Sequence, residues 1–256
     1  MKTNDYDPIA NLYDIYVPAT FDIDFFVNET AKSKGEVLEL MSGTGRVSIP
    51  LLEAGVKLTC VDLSPELNAI FREKLAQKGL KADIHQMDIC ELDLHRKFDM
   101  VIIPFHSFAH VTSPEDQRRA LERIHKHLAP GGTFICTLGN PAVRRQLVNG
   151  QLRLARSYPL EGGGSLLLWI LEDFTPEDTQ VVKALQFFEE YDAAGTLKLK
   201  RLLELQFRLS SRDGFEDLAR AAGFKVKAFY GDYTCAEFNE ESSPFMIWIL
   251  ETAGQL

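Results

Sequence analysis

Residues 35–139 carry the pattern that most restricts the possible folds: short runs of Val, Ile and Leu alternate with helix-length amphipathic segments. Five runs, at 36–41, 56–61, 81–87, 98–103 and 133–138, read as strands. Runs this apolar suit strands buried on both sides, as in a parallel sheet covered by helices. The intervening segments carry helix punctuation. Ser64-Pro65-Glu66 and Ser113-Pro114-Glu115 each set a capping serine before a proline at the first helical position. Gly55 closes a helix over 46–54, and Gly79 closes the one that Ser64 opens. Repeated strand–helix–strand units predict an α/β fold with right-handed crossovers.

Beyond residue 139 the pattern changes. Segments 165–174, 181–191 and 198–209 read as strands, the last two joined by the hairpin turn Asp192-Ala193-Ala194-Gly195-Thr196. Residues 145–210 are therefore expected to form an antiparallel insertion or cap. A helix at 213–222, stopped by Gly223, and strands at 224–230 and 245–251 return to the core. The expected division is an N-terminal segment at 1–34, forming a helix across the core, then a core of 35–144 and 211–256 around the cap.

The chemistry gathers where strands end. Ser42-Gly43-Thr44-Gly45-Arg46 joins the first strand to the first helix. An open parallel sheet binds nucleotide-like ligands at such junctions, because glycine admits the ligand close to backbone and the helix start offers free N–H groups. Asp62 ends the second run, where a carboxylate can accept two hydrogen bonds from a ribose diol. Asp88 ends the third, where it can accept from an adenine amine while Met87 and Ile89 pack the ring. A pair of glycines alone is weak evidence; the ordered set of Glu39, Gly43, Gly45, Asp62 and Asp88 points to a nucleoside-bearing ligand.

On these residues the sequence resembles the class I S-adenosylmethionine-dependent methyltransferases of small molecules. Glu39-Leu40-Met41-Ser42-Gly43-Thr44-Gly45-Arg46 is similar to their first motif, Val61-Asp62-Leu63-Ser64 to the ribose motif and Met87-Asp88-Ile89 to the adenine motif. Phe98-Asp99-Met100-Val101-Ile102-Ile103-Pro104-Phe105 resembles the fourth-strand motif, and Leu128-Ala129-Pro130-Gly131-Gly132 the turn before the fifth strand. The opening Tyr6-Asp7-Pro8-Ile9-Ala10-Asn11-Leu12-Tyr13-Asp14 resembles a pre-core segment whose tyrosine touches the cofactor. The resemblance implies a Rossmann-like, seven-stranded, mostly parallel sheet with helices on both faces, and S-adenosylmethionine as cofactor. It implies cofactor contacts at Tyr13, Glu39, Met41, Ser42, Gly43, Gly45 and Arg46, then at Asp62, Leu63, Met87, Asp88, Ile89, Pro104 and Phe105. One departure stands: Met41 occupies the family's first glycine position, so its side chain must turn from the ligand or pack beside it.

Methyl transfer from a sulfonium is an in-line displacement, helped chiefly by orientation and, for an ammonium or hydroxyl acceptor, by a base. Phe105-His106-Ser107-Phe108-Ala109-His110 follows the fourth strand and offers two candidates. The resemblance to small-molecule N-methyltransferases favours His110, with His106 second; the plainer reading makes both histidines cap or packing residues. Glu172 and Asp173 suit an amine acceptor or a solvated strand edge. Arg144, Arg145, Arg153 and Arg156 form a basic cluster, read as solvated surface in preference to an anion site.

Composition narrows the field. A net charge of −9, from 28 basic and 37 acidic residues, disfavours nucleic acid and anionic membrane as partners. No apolar stretch approaches the roughly 20 residues of a membrane span, and Met1-Lys2-Thr3-Asn4-Asp5 does not read as a secretion signal. The four cysteines show no paired spacing, which suits free thiols in a cytoplasmic protein without a metal site. The expected partner is a small-molecule methyl acceptor. Two other readings are a non-catalytic cofactor binder and a nicotinamide-dependent oxidoreductase; against the latter, Ser48 stands where the dinucleotide fingerprint needs its third small residue.

Overall fold

A computed structural model describes residues 4–33 and 35–253. After a 3-10 turn at Asp7–Leu12 come α1 (Tyr13–Tyr16) and α2 (Ile23–Thr30). The core begins with β1 (Val37–Leu40), α3 (Ser48–Glu53), β2 (Leu58–Asp62), α4 (Pro65–Lys78), β3 (Asp83–Gln86) and β4 (Phe98–Ile103). It continues through α5 (Pro114–His127), β5 (Leu128–Gly139) and the short α6 (Pro141–Arg145). Four strands follow: β6 (Arg153–Pro159), β7 (Ser165–Phe174), β8 (Val181–Tyr191) and β9 (Leu197–Arg208). Helix α7 (Arg212–Ala221), β10 (Phe224–Tyr230) and β11 (Phe245–Thr252) complete the order.

The main sheet has seven strands in the order β10-β11-β5-β4-β1-β2-β3. β11 alone runs antiparallel to both of its neighbours; the other pairings are parallel. Alternate side chains of each strand feed opposite layers. Leu38, Val101, Ile103 and Phe134 pack with Leu121 and Ile124 of α5 and Phe215 of α7. Val37, Cys60, Met100 and Ile102 pack with Phe26 of α2, Leu51 of α3 and Phe71 of α4. Both faces are thus buried, which is why these strands lack polar alternation. The expected caps form: Ser64 Oγ accepts from Leu67 N at 3.0 Å, and Gly79 ends α4 at φ +66°.

The second sheet is antiparallel, in the order β6-β7-β8-β9, and packs Leu166, Leu168, Phe188 and Leu203 against Ile9 and Leu12. The sequence does not reveal β6. It is an edge strand with Leu154, Ala155, Arg156 and Ser157 exposed, so charge masks its pattern, as edges commonly require.

The single N-terminal helix expected from sequence is corrected to three short pieces. Pro8 sits in the first turn, and Val17 leaves the helical region at φ −116°, ψ 59° because Pro18 follows it. No helix among the described residues is long and apolar enough to cross a membrane.

Candidate active site

The strand order reverses between β1 and β4, and a cavity of about 930 Å³ opens outside their carboxyl ends. The turn after β1 is held left-handed at Met41 (φ +59°), Gly43 (φ +55°) and Gly45 (φ +82°). Gly45 admits no side chain: a Cβ there would lie 2.2 Å from the Phe71 ring. Met41 accepts a conformation that costs a non-glycine residue about 1–2 kcal/mol, while its side chain packs on the α5 layer and lines the cavity.

Asp62 fastens this turn to the start of α4. Its Oδ2 accepts from Gly43 N at 2.7 Å and its Oδ1 from Ser64 N at 2.9 Å. Burial raises its pKa, opposed by those backbone N–H groups. Each oxygen keeps a second lone pair for a ligand hydroxyl. Asp88 uses one oxygen to accept from Cys90 N at 2.8 Å, capping a 3-10 turn, and also lines the cavity.

The N-terminal segment straps this half of the cavity. Ser64 Oγ donates to Asp7 Oδ1, and Thr44 Oγ1 donates to Asp14 Oδ1 at 2.6 Å. Tyr13 lies over Gly43, and burial pushes its phenol up to about 12. Arg46 grips Asp22 with two contacts of 2.6 Å and stacks 4.4 Å from the Phe105 ring centre. Asp22 is fully buried, so this pair matters far more than the exposed ones.

After β4 and Pro104 come two consecutive left-handed residues, Phe105 (φ +55°) and His106 (φ +63°), strain of the kind that collects at functional sites. They turn the chain so that His106 and His110 both line the cavity. His110 Nδ1 donates to the Gln206 carbonyl at 3.1 Å, which leaves Nε2 to accept from Tyr6 Oη at 3.3 Å. Burial lowers the His110 pKa. His106 Nδ1 is buried near Gly139 without a hydrogen-bond partner. Burial first, then the Arg144 charge, lowers the His106 pKa to about 4.

Of the residues singled out from sequence, Tyr13, Met41, Gly43, Asp62 and Leu63 line the cavity. So do Met87, Asp88, Ile89, Phe105, His106 and His110. Five others stand behind its wall. Glu39 is buried under the turn, where Ser48 Oγ donates to it at 2.6 Å and burial pushes its pKa up to about 8. Ser42 and Gly45 shape the turn, Arg46 is committed to Asp22, and Pro104 is buried at the end of β4. Asn4, Gln186 and Ser210 also line the cavity and were not singled out for it. Asn4 bridges the carbonyls of His110 and Gln206, a contact between distant parts of the chain that no local pattern announces.

Residues 37–132 match the family model described as a methyltransferase domain. The matched stretch runs from β1 to the start of β5, so this part of the chain is similar to a methyltransferase domain, and the sheet order is that of a Rossmann-like fold. Among particular relatives, the chain is 33% identical over 115 residues to a glycine/sarcosine N-methyltransferase of Halorhodospira halochloris, covering 44% of this chain and 43% of that one. The match thus spans less than half of that relative's length. It is 27% identical to a cypemycin N-terminal methyltransferase of a Streptomyces species, over 82% of this chain and 81% of that one. A solved S-adenosylmethionine-dependent methyltransferase from Clostridium acetobutylicum shares the fold with a TM-score of 0.82 at 19% identity, covering 97% and 99% of the two chains.

Proposed function

We propose that this protein transfers the methyl group of S-adenosylmethionine to the amine of a small molecule in the cytoplasm. The observation that carries this reading is the joining of two halves in one cavity: Gly43, Asp62 and Asp88 at one end, and the His106–His110 turn beside the antiparallel sheet. The relatives include methyltransferases named for glycine, sarcosine and a peptide N-terminus, all nitrogen acceptors.

In this reading the residues fit the cofactor. Asp62 holds the ribose diol, Asp88 the adenine amine, and Met87 and Ile89 pack the ring. Gly43, Tyr13, Met41 and Leu63 border the rest, while Glu39, Ser42, Gly45, Arg46 and Pro104 keep the wall in shape. Phe105 has its face taken by Arg46. Bound S-adenosylmethionine supplies an activated methyl; the chain's own task is to present a neutral nucleophile in line with it. His110, fixed as the Nδ1–H tautomer, holds Nε2 as the proton acceptor, directly or through Tyr6 Oη. His106 is the second candidate. Residues 145–210, with the four-stranded sheet, act as the cap that selects the acceptor.

His110→Ala tests the assignment: turnover should fall at least a hundredfold, the usual scale of general-base loss, with S-adenosylhomocysteine binding retained. Normal turnover removes His110 from the mechanism.

A further inference from the structure

Away from the glycine turn, the cavity runs between α6 and the inner face of the four-stranded sheet. Strand alternation sets that face: Leu166, Leu168, Ile170 and Glu172 on β7, and Val182, Ala184, Gln186 and Phe188 on β8. Two polar residues interrupt an otherwise apolar surface, and both line the cavity.

Glu172 is only 3% exposed and is held by two arginines. Arg153 Nη2 donates to its Oε2 at 2.7 Å, and Arg144 donates to both oxygens. One carboxylate therefore meets two guanidiniums, leaving a surplus positive charge. Arg153 already satisfies Glu172 from behind; Arg144 lines the cavity, stacked 5.0 Å from the Phe207 ring centre. The other cation lining this end, Arg208, is spent on Asp178, on Gln180 Oε1 at 2.8 Å and on the Thr112 carbonyl. Ser210 Oγ and Gln186 Oε1 are buried without partners, and Ser210 is 8% exposed. Val143, Leu147, Leu205 and Leu209 supply the remaining apolar wall.

A guanidinium with spare donors in an apolar chamber matches one ligand group best, a planar carboxylate. We propose that Arg144 receives the acceptor's carboxylate, so that the acceptor is an amine carrying a carboxylate on an apolar body. Ser210 Oγ donates to that carboxylate, Gln186 Oε1 accepts from an N–H of the amine, and the amine faces Tyr6 and His110. This rests on the methyltransferase reading above. It turns the basic cluster, read from sequence as solvated surface, into a selectivity device at Arg144 and Arg153, while Arg145 and Arg156 stay exposed.

The test uses the full chain with labelled S-adenosylmethionine and matched probes: apolar amino acids such as L-leucine and L-phenylalanine, their methyl esters, and 3-methylbutylamine and phenethylamine. Methylation should require the free carboxylate. Arg144→Gln should raise the KM for the accepted acid at least tenfold and change kcat less, with S-adenosylhomocysteine affinity unchanged. Arg153→Gln, whose side chain stands outside the cavity, should also raise that KM by removing the surplus charge, which serves if Arg144→Gln does not fold. Equal or better methylation of the esters or decarboxylated amines, or an unchanged KM in a folded variant, overturns the proposal, as does failure to methylate any carboxylated amine. Loss of S-adenosylhomocysteine binding by the parent protein would instead overturn the reading on which it rests.

Discussion

Asp62 holds two backbone N–H groups at once, those of Gly43 and Ser64, and the proposed function gives it a ribose besides. Asp62→Ala should weaken S-adenosylhomocysteine binding by about 1–3 kcal/mol, the cost of leaving such groups unpaired, when titrated calorimetrically. Unchanged affinity in a folded variant would free Asp62 of that role. Gly45→Ala meets the Phe71 ring from a left-handed backbone, so overpacking and strain together should lower unfolding stability by about 2–4 kcal/mol in urea; wild-type stability would contradict the packing. His106 titrates near 4 when folded against an ordinary 6.5. Between those values the unfolded chain binds a proton that the folded chain does not, so stability falls as pH drops through that window and is complete above it. His110, shifted the same way, adds to the slope. His106→Gln should flatten stability against pH between 6.5 and 4, and an unaltered slope would place the effect elsewhere. At this scale the sequence was informative where a residue's place in a strand–turn–helix unit defines its surroundings, as for Asp62 and Asp88. It was silent on Asn4, Gln186 and Ser210 and on the pairing of Tyr6 with His110, all set by distant parts of the chain.

Elements with both a period and a cap were legible from sequence. The two Ser-Pro helix starts formed as read, and β4, β7 and β8 fall on their expected residues. Elements held by position alone were not: β6 is a charged edge, and α6 is five residues long. The N-terminal segment is the most instructive case, because prolines break it into pieces whose order depends on ion pairs to the core. Arg46 and Asp22 are its main fastening. Breaking a buried pair by removing one partner costs about 3–5 kcal/mol. Arg46→Ala should therefore lose that much stability in denaturant unfolding and also weaken cofactor binding, as Tyr13 and Asp14 come free of the turn after β1. Lys78→Ala, which breaks an exposed pair with Glu53, should cost less than about 1 kcal/mol. Equal losses in the two variants would contradict the fastening role of Arg46.

As a whole, the molecule sets a seven-stranded sheet buried on both faces beneath a four-stranded antiparallel sheet, with one cavity shared between them. The core sheet was readable because apolar runs alternate with capped, helix-length segments, the pattern of strand–helix–strand units in a sheet covered on both faces. How the antiparallel sheet covers the crevice was not, since its inner face meets the N-terminal segment, α6 and the His110 turn through contacts far apart in sequence. The central claim is that this crevice holds S-adenosylmethionine, and calorimetric titration of the full chain with S-adenosylhomocysteine tests it most directly, with NAD and NADP as controls. The account predicts selective micromolar binding at one site per chain and no heat from the dinucleotides. No binding of S-adenosylhomocysteine by a protein shown to be folded, or equal binding of NAD, would contradict it.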